Sequence, residues 1–204
     1  MDKPVLTGKF LSPFVRRVAV TLNHFGLPFD REVLSAIHDV SRIERSNPIG
    51  RVPALLLPSG DAVIDSAAIL DYLDEQVGPE RALVPREGAA RQRALYLLAL
   101  VCGTIERAMT ANAERRRPDT QRDDARLDRL LRQTRQGFAA LEVELAGQLW
   151  FADRMGQPDM TTAVGVTFVN HIFPGTLVSQ ELPRLFELTA TCEALPAFAS
   201  AQID

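Results

Sequence analysis

Two hydroxyl side chains stand where a strand pattern gives way to a helix pattern, a position that suits the binding of an anion. Ser12 follows a short apolar run at residues 4–7 and opens a segment with helical spacing. Ser66 follows a second apolar run, at residues 62–64, with Asp65 between them. The first turn of a helix carries unpaired N–H groups and the positive end of the helix dipole. Each serine is therefore placed where a negatively charged group is stabilised.

A purely structural role also fits these residues. Ser12 followed by Pro13 is typical of an N-cap and the first helical residue, and Asp65 suits the N-cap of the second helix. An N-cap and an anion-binding hydroxyl occupy the same position, so the local pattern leaves both roles open.

Apolar spacing defines the helices that these residues open. Five apolar residues recur at helical intervals and predict a first helix that ends at Gly26: Val15, Val18, Ala19, Leu22 and Phe25. Four more predict a helix after Asp65: Ile69, Leu70, Leu73 and Val77.

A short apolar run predicts a strand at residues 4–7, a weak alternation predicts a second strand at residues 30–34, and short apolar runs predict two further strands at residues 51–57 and 62–64. The first two flank the first helix, which predicts a parallel β-α-β unit with a right-handed crossover. Residues 39–45 could form a short helix, and the last two strands are joined by a Pro-Ser-Gly-Asp turn, which predicts a hairpin. Val52–Pro53 is the bond there at which a cis peptide costs least.

Beyond Gly78 the pattern is helical. Residues 78–87 predict a linker, so we expect one domain at residues 1–77 and an all-helical domain at 88–204. Helices are predicted at residues 89–115, 121–147, 162–173, 183–191 and 195–203. Gly156 stands at the N-cap position before the third of these, and Asp159 can accept a hydrogen bond from a backbone N–H there.

Composition excludes several classes of function. The 204-residue chain has a net charge of -3, which gives no electrostatic case for nucleic acid. Its two cysteines, Cys102 and Cys192, and its three histidines show no metal-ligand spacing, so we expect no metal. The apolar run at residues 94–103 is too short to cross a bilayer, and the first residues lack a signal-peptide pattern, so we expect a cytoplasmic protein without membrane association.

The order of these motifs resembles that of the cytosolic glutathione transferases, over essentially the whole chain. The motifs are Ser12-Pro13-Phe14-Val15-Arg16-Arg17-Val18, Asn47-Pro48-Ile49-Gly50-Arg51-Val52-Pro53, Asp65-Ser66, and Asp159 near the start of a late helix. The resemblance implies a thioredoxin-like β-α-β-α-β-β-α domain, a helical-bundle domain, glutathione as co-substrate and a homodimer.

The resemblance also implies roles for particular residues. Ser12 matches the serine that faces the sulfur of glutathione in serine-type members. The backbone of Val52 before cis-Pro53 would pair with the cysteinyl part, and Asp65 with Ser66 would hold the γ-glutamyl end. Arg51 lies where it could meet the glycyl carboxylate.

The chemistry of these residue types agrees with the implied roles. A thiol with a pKa of about 8.5 is mostly protonated at about pH 7, so a transferase must favour the thiolate. A donated hydroxyl hydrogen bond and a helix N-terminus each stabilise an anion by roughly 1 kcal/mol, which together would lower the thiol pKa by roughly one to two units.

The implied activity is conjugation of the glutathione thiolate to a small apolar electrophile. Residues proposed to line the electrophile pocket are Phe10, Leu11 and Phe14 from the first loop, with Cys102, Glu106 and Met109 from the long helix. The three helix residues fit a core or an interface equally well. The alternative function is a non-catalytic binding or regulatory module of the same fold, whereas serine at position 12 disfavours a glutathione-dependent reductase or lyase.

Overall fold

The computed structural model describes residues 3–204, which form two compact units. One unit contains the residues up to Arg86 together with Glu193–Asp204, and the other is Glu87–Cys192. The predicted division, 1–77 and 88–204 with a linker at 78–87, differs in two places. Residues 78–86 and the segment Glu193–Asp204 both pack with the first unit.

The first unit contains a four-stranded sheet. The strands are β1 (Val5–Thr7), β2 (Asp30–Glu32), β3 (Ala54–Leu56) and β4 (Ala62–Ile64), in the order β2-β1-β3-β4. β1 pairs parallel with β2 and antiparallel with β3, and β3 pairs antiparallel with β4. The predicted parallel unit and hairpin are therefore both present, although each strand is only three residues long.

Helices α1 (Pro13–Phe25) and α3 (Ser66–Val77) pack against each other and against the sheet. Their apolar stripes supply the core, in which Val15, Val18 and Ile69 are fully buried. The short α2 (Val40–Ile43) lies within the predicted range. The part predicted as linker is fixed because the Asp74 carboxylate on α3 accepts hydrogen bonds from the N–H groups of Leu83 and Val84.

The second unit is helical. Its elements are α4 (Gly88–Arg115), a 3-10 turn (Asp119–Gln121), α5 (Asp124–Glu144), α6 (Gln157–Ile172) and most of α7 (Pro183–Glu193). The last helix, α8 (Pro196–Ala199), belongs to the first unit and packs against α1. It is shorter than the predicted 195–203.

The core of the second unit is α4, which packs against both α5 and α6. Close approach of α4 and α5 depends on Gly137, since a Cβ there would lie 2.9 Å from the Cβ of Thr104. α6 begins at Gln157, five residues before the predicted start at 162, because polar residues that precede the apolar run already belong to the helix.

By length and composition alone, α4 could also cross a membrane, with 28 residues and a mean hydropathy of 1.4 over its most apolar window. Its apolar window is longer than the run at residues 94–103 that the sequence pattern indicates, whereas the predicted helix at 89–115 nearly matches its length. Core helices of soluble proteins pass the same test, and the buried side of α4 carries Leu97, Val101 and Ile105. Packing against α5 and α6 buries this side of α4.

Candidate functional site

Ser12 is the N-cap of α1, as the sequence predicts. Its backbone is extended, with φ -70° and ψ 119°, and its Oγ accepts a hydrogen bond from the Val15 N–H at 3.4 Å. The Ser12 N–H donates to the Lys9 carbonyl oxygen at 3.0 Å, which closes a tight turn before the helix. A hydroxyl that accepts one N–H retains its own proton as a donor. Capping therefore leaves the half-buried Ser12 able to donate a hydrogen bond to an anion.

The end of β1 is joined to the segment around Pro53 by the Thr7 hydroxyl. Thr7 Oγ1 donates to the Ala54 carbonyl oxygen at 3.1 Å and accepts from the Ala54 N–H at 3.0 Å. Thr7 is fully buried, so both bonds are shielded from water. The sequence reading missed this positioning role, since a threonine that ends a strand carries no signal of its partner 47 residues away.

Gly8 allows the chain before Ser12 to lie close to Val52. Its φ of +119° is rare for any other residue, and a Cβ at this position would lie 2.6 Å from Val15 Cγ2 and 3.1 Å from Val52 Cβ. Gly8 also donates its N–H to the Glu32 carbonyl oxygen at 2.9 Å. Gly8, which leads into the loop before Ser12, thus lies close to the side chain of Val52.

The Val52–Pro53 peptide bond is cis. Val52 is half-buried and lies outside the β3 ladder, which begins at Ala54. Among residues 3–204, neither the N–H nor the carbonyl oxygen of Val52 has a hydrogen-bond partner. Arg51 is exposed, and its carbonyl oxygen accepts from the Asn47 side chain at 2.7 Å. Val52 therefore presents a backbone donor and acceptor that an extended peptide can pair with.

Asp65 caps α3, and its backbone has an unusual conformation. Its Oδ1 accepts from the Ala67 N–H at 2.8 Å. Its φ is +71°, a region that non-glycine residues rarely adopt and that is often found at ligand-binding sites. The adjacent Ser66, the first residue of α3, is 5% exposed. The exposed carboxylate and the buried hydroxyl at a helix start suit a ligand that carries both an ammonium and a carboxylate.

The residues predicted to line an electrophile pocket fall in both units. In the first unit, Phe10 and Phe14 are 4% and 9% exposed and Leu11 is half-buried. On α4, Cys102 is half-buried, whereas Glu106 and Met109 are exposed. The last three follow one another along one side of the helix, and their role in a pocket stays a prediction.

Asp159 is held at the start of α6, in the second unit. Its carboxylate accepts from the Gly156 N–H at 2.7 Å, as predicted, and from the Phe151 N–H at 2.9 Å, a bond that the sequence did not indicate. Burial raises the pKa of the carboxyl to about 6 despite hydrogen bonds that lower it. This group stabilises a loop and a helix start and has no part in the site on the first unit.

In residues 3–204, no group of three or more His, Cys, Asp or Glu side chains is arranged to hold a metal ion.

The fold and this site together define a thioredoxin-like unit with a serine-capped helix start, an unpaired backbone segment beside a cis-proline and a second helix start. Comparison with known proteins agrees with this class. Residues 11–76 match the family model described as glutathione S-transferase, N-terminal domain.

Similar proteins extend the match beyond that domain. A glutathione S-transferase from Triticum aestivum is 30% identical over 71% of this chain and 67% of its own length. The maleylacetoacetate isomerase of Pseudomonas aeruginosa is 29% identical over 91% of this chain and 89% of its own. A crystal structure of a glutathione S-transferase from Methylobacterium radiotolerans, in complex with glutathione sulfonate, superposes with a TM-score of 0.91 at 28% identity, covering 98% of this chain and 94% of that one. The chain belongs to the glutathione transferase family.

Proposed function

We propose that the protein binds glutathione on its first unit and transfers the thiolate to a small apolar electrophile. The observation that carries this proposal is the close approach of Gly8, just before the Ser12 loop, to Val52, where a Cβ on Gly8 would lie 3.1 Å from Val52 Cβ. A tripeptide paired with the Val52 backbone would have its sulfur near the start of α1. The similar structures that hold glutathione sulfonate and glutathione support the same co-substrate.

In this proposal Ser12 is the catalytic residue. The Ser12 oxygen accepts a hydrogen bond from the Val15 N–H, and this leaves the hydroxyl proton available for a hydrogen bond to the sulfur. That bond and the N-terminus of α1 stabilise the thiolate over the thiol. The thiol proton is released to water, and the thiolate sulfur then forms the new C–S bond while the electrophilic carbon loses its bond to a leaving group or the π bond of an activated double bond. Phe10, Leu11, Phe14, Cys102, Glu106 and Met109 are proposed to contact the electrophile.

The other proposed contacts orient glutathione. The Val52 N–H and carbonyl oxygen pair with the cysteinyl backbone beside Pro53. The Asp65 carboxylate pairs with the γ-glutamyl ammonium, while the Ser66 hydroxyl and N–H hold its carboxylate. Arg51, which is exposed, is proposed to meet the glycyl carboxylate. We further propose that the protein is a cytoplasmic homodimer. The exposed apolar side chains of Leu95 and Tyr96 on α4 are consistent with a dimer. Light scattering in solution measures the mass and so tests whether the protein is a dimer.

The test combines binding and turnover. Glutathione binding is measured by calorimetry, and conjugation is measured on a panel of electrophiles, for the wild type, Ser12→Ala and Ser66→Ala. We expect Ser12→Ala to lower kcat/KM by about 5- to 10-fold and to raise the pKa of the bound thiol by roughly half a unit to one unit, since the N-terminus of α1 remains. We expect Ser66→Ala to weaken glutathione binding about fivefold to tenfold, since a hydrogen bond to a charged group is lost.

Ser179→Ala provides a matched control, because Ser179 is an exposed serine of the second unit whose hydroxyl, within residues 3–204, hydrogen-bonds only to the neighbouring Gln180 side chain. It should behave as the wild type. Absence of glutathione binding would refute the proposal. Binding without turnover on any electrophile would instead favour the non-catalytic module. Full activity of Ser12→Ala would show that another group stabilises the thiolate.

A further inference from the structure

The turn that ends at Ser12 is stabilised by hydrogen bonds to a residue that is distant in sequence. The turn spans residues 9–12, and its two central N–H groups, those of Phe10 and Leu11, point to the Asp204 carboxylate. Asp204 Oδ1 accepts from Phe10 N at 2.7 Å and from Leu11 N at 3.3 Å. A single carboxylate oxygen thus satisfies both donors of the turn.

The second oxygen of Asp204 is paired with Arg31 on β2. The distance from Arg31 Nη2 to Asp204 Oδ2 is 2.7 Å, and the two side chains are 29% and 37% exposed. The Arg31 guanidinium also lies 3.3 Å from the centre of the Phe10 ring, a cation–π contact that helps to bury the ring. Phe10 is therefore held through both its backbone N–H and its ring.

The charge state of Asp204 suits this arrangement. Partial burial raises the pKa of its carboxyl, but the hydrogen bond and charge of Arg31 and the two N–H donors outweigh burial and lower it overall. Asp204 is thus ionised at neutral pH, when it accepts all three hydrogen bonds.

The segment that carries Asp204 is anchored along α1. The buried Arg16 donates through Nε to the Ala201 carbonyl oxygen at 2.7 Å, and its two terminal nitrogens each donate to the Glu193 carboxylate at 2.7 Å. Asn23, farther along α1, donates to the Ala197 carbonyl oxygen at 3.0 Å. The helix that Ser12 opens therefore sets the position of Asp204, and Asp204 in turn contacts the turn before Ser12.

We propose that Asp204 and Arg31 are positioning residues for Ser12: they fix the turn at residues 9–12 and so hold the serine hydroxyl where it donates to the glutathione sulfur. This inference rests on the proposed function. In this proposal neither residue contacts the sulfur: Asp204 acts through the N–H groups of Phe10 and Leu11, and Arg31 acts through Asp204 and the Phe10 ring. Their removal should therefore weaken thiolate stabilisation while leaving the contacts of Val52, Asp65 and Ser66 with glutathione in place.

Asp204→Asn is the first test, because it preserves the shape of the side chain and removes its charge. We expect kcat to fall about fivefold and the pKa of enzyme-bound glutathione, followed by thiolate absorbance against pH, to rise by roughly half a unit to one unit. The dissociation constant of glutathione should change less than about twofold. Arg31→Met should give the same pattern, and Arg31→Lys should recover part of it because the charge remains. Gln202→Ala, at an exposed neighbouring position, is the matched control.

A double-mutant cycle separates positioning from general stabilisation. If Asp204 acts through Ser12, adding Asp204→Asn to Ser12→Ala should lower kcat no further. Equal fold-losses with and without the Ser12 hydroxyl would overturn the inference, as would an unchanged kcat and thiol pKa in Asp204→Asn. If Ser12→Ala itself keeps full turnover, the serine role in the proposed function fails and this inference fails with it. If Ser12→Ala loses turnover and Asp204→Asn does not, the positioning inference alone is refuted.

Discussion

The buried carboxyl of Asp159 should make the stability of the protein depend on pH in an unusual direction. Asp159 is 1% exposed, and burial raises its pKa from 3.8 to about 6. Between these values the folded chain binds a proton that the unfolded chain does not bind. Stability contributed at this site therefore falls as pH rises from about 4 to about 6, and it changes little above that range.

The size of the effect follows from the pKa difference. A shift of about two units corresponds to about 3 kcal/mol, at about 1.4 kcal/mol per unit. Other carboxylates also titrate in this range, so the useful quantity is the difference in unfolding free energy between the wild type and Asp159→Asn. The asparagine does not titrate. We expect its cost relative to the wild type to be larger by up to about 3 kcal/mol at about pH 4 than at about pH 7.

Urea unfolding at a series of pH values measures this difference. The single tryptophan, Trp150, precedes Phe151, whose N–H donates to Asp159, so its fluorescence reports on the affected loop. Circular dichroism follows the helices in parallel. Asp153→Asn is the control, since Asp153 is an exposed carboxylate in the same loop. A cost of Asp159→Asn that grows with rising pH would refute the reasoning, because the hydrogen bonds from Phe151 and Gly156 would then outweigh burial.

Two further predictions concern the end of β1. Thr7→Val removes both hydrogen bonds with Ala54 at a fully buried position and should lower the unfolding free energy by about 1–3 kcal/mol. Thr7→Ser keeps the hydroxyl, so its unfolding free energy, measured by the same urea titration, should stay close to that of the wild type. Gly8→Ala should destabilise by more than Gly60→Ala, since both positions have positive φ but only Gly8 would place a Cβ 2.6 Å from Val15 Cγ2. Equal thermal midpoints for the two glycine variants would contradict this steric argument.

Local signals in the sequence were enough to locate most helices and strands of the first unit. Ser12 and Asp65 were predicted as N-caps, and both accept N–H bonds in that role. The hairpin and the parallel pair also followed from short apolar runs joined by turn residues. These features depend on neighbours within a few residues, which is why the sequence indicates them.

The ends of elements and the division into units were harder to predict. The N-cap predicted at Gly156 is confirmed, but the apolar run predicts the helix only from residue 162, because the apolar period begins after the first turn of α6. The segment Glu193–Asp204 was assigned with the helices, yet it packs with the first unit through Arg16. No local sequence pattern indicates that this segment packs with the first unit, because the residues that it contacts are far away in sequence.

The sequence by itself determined which residues have the right chemistry: a hydroxyl at each of two helix starts, a carboxylate beside the second, and a proline after Val52. Only the tertiary structure decided how they are held. Three interactions join residues that are distant in sequence. Gly8 lies close to Val52, Thr7 forms hydrogen bonds with Ala54, and Asp204 accepts hydrogen bonds from the turn before Ser12. Side-chain type is encoded at each position, whereas such contacts exist only once packing has brought the segments together.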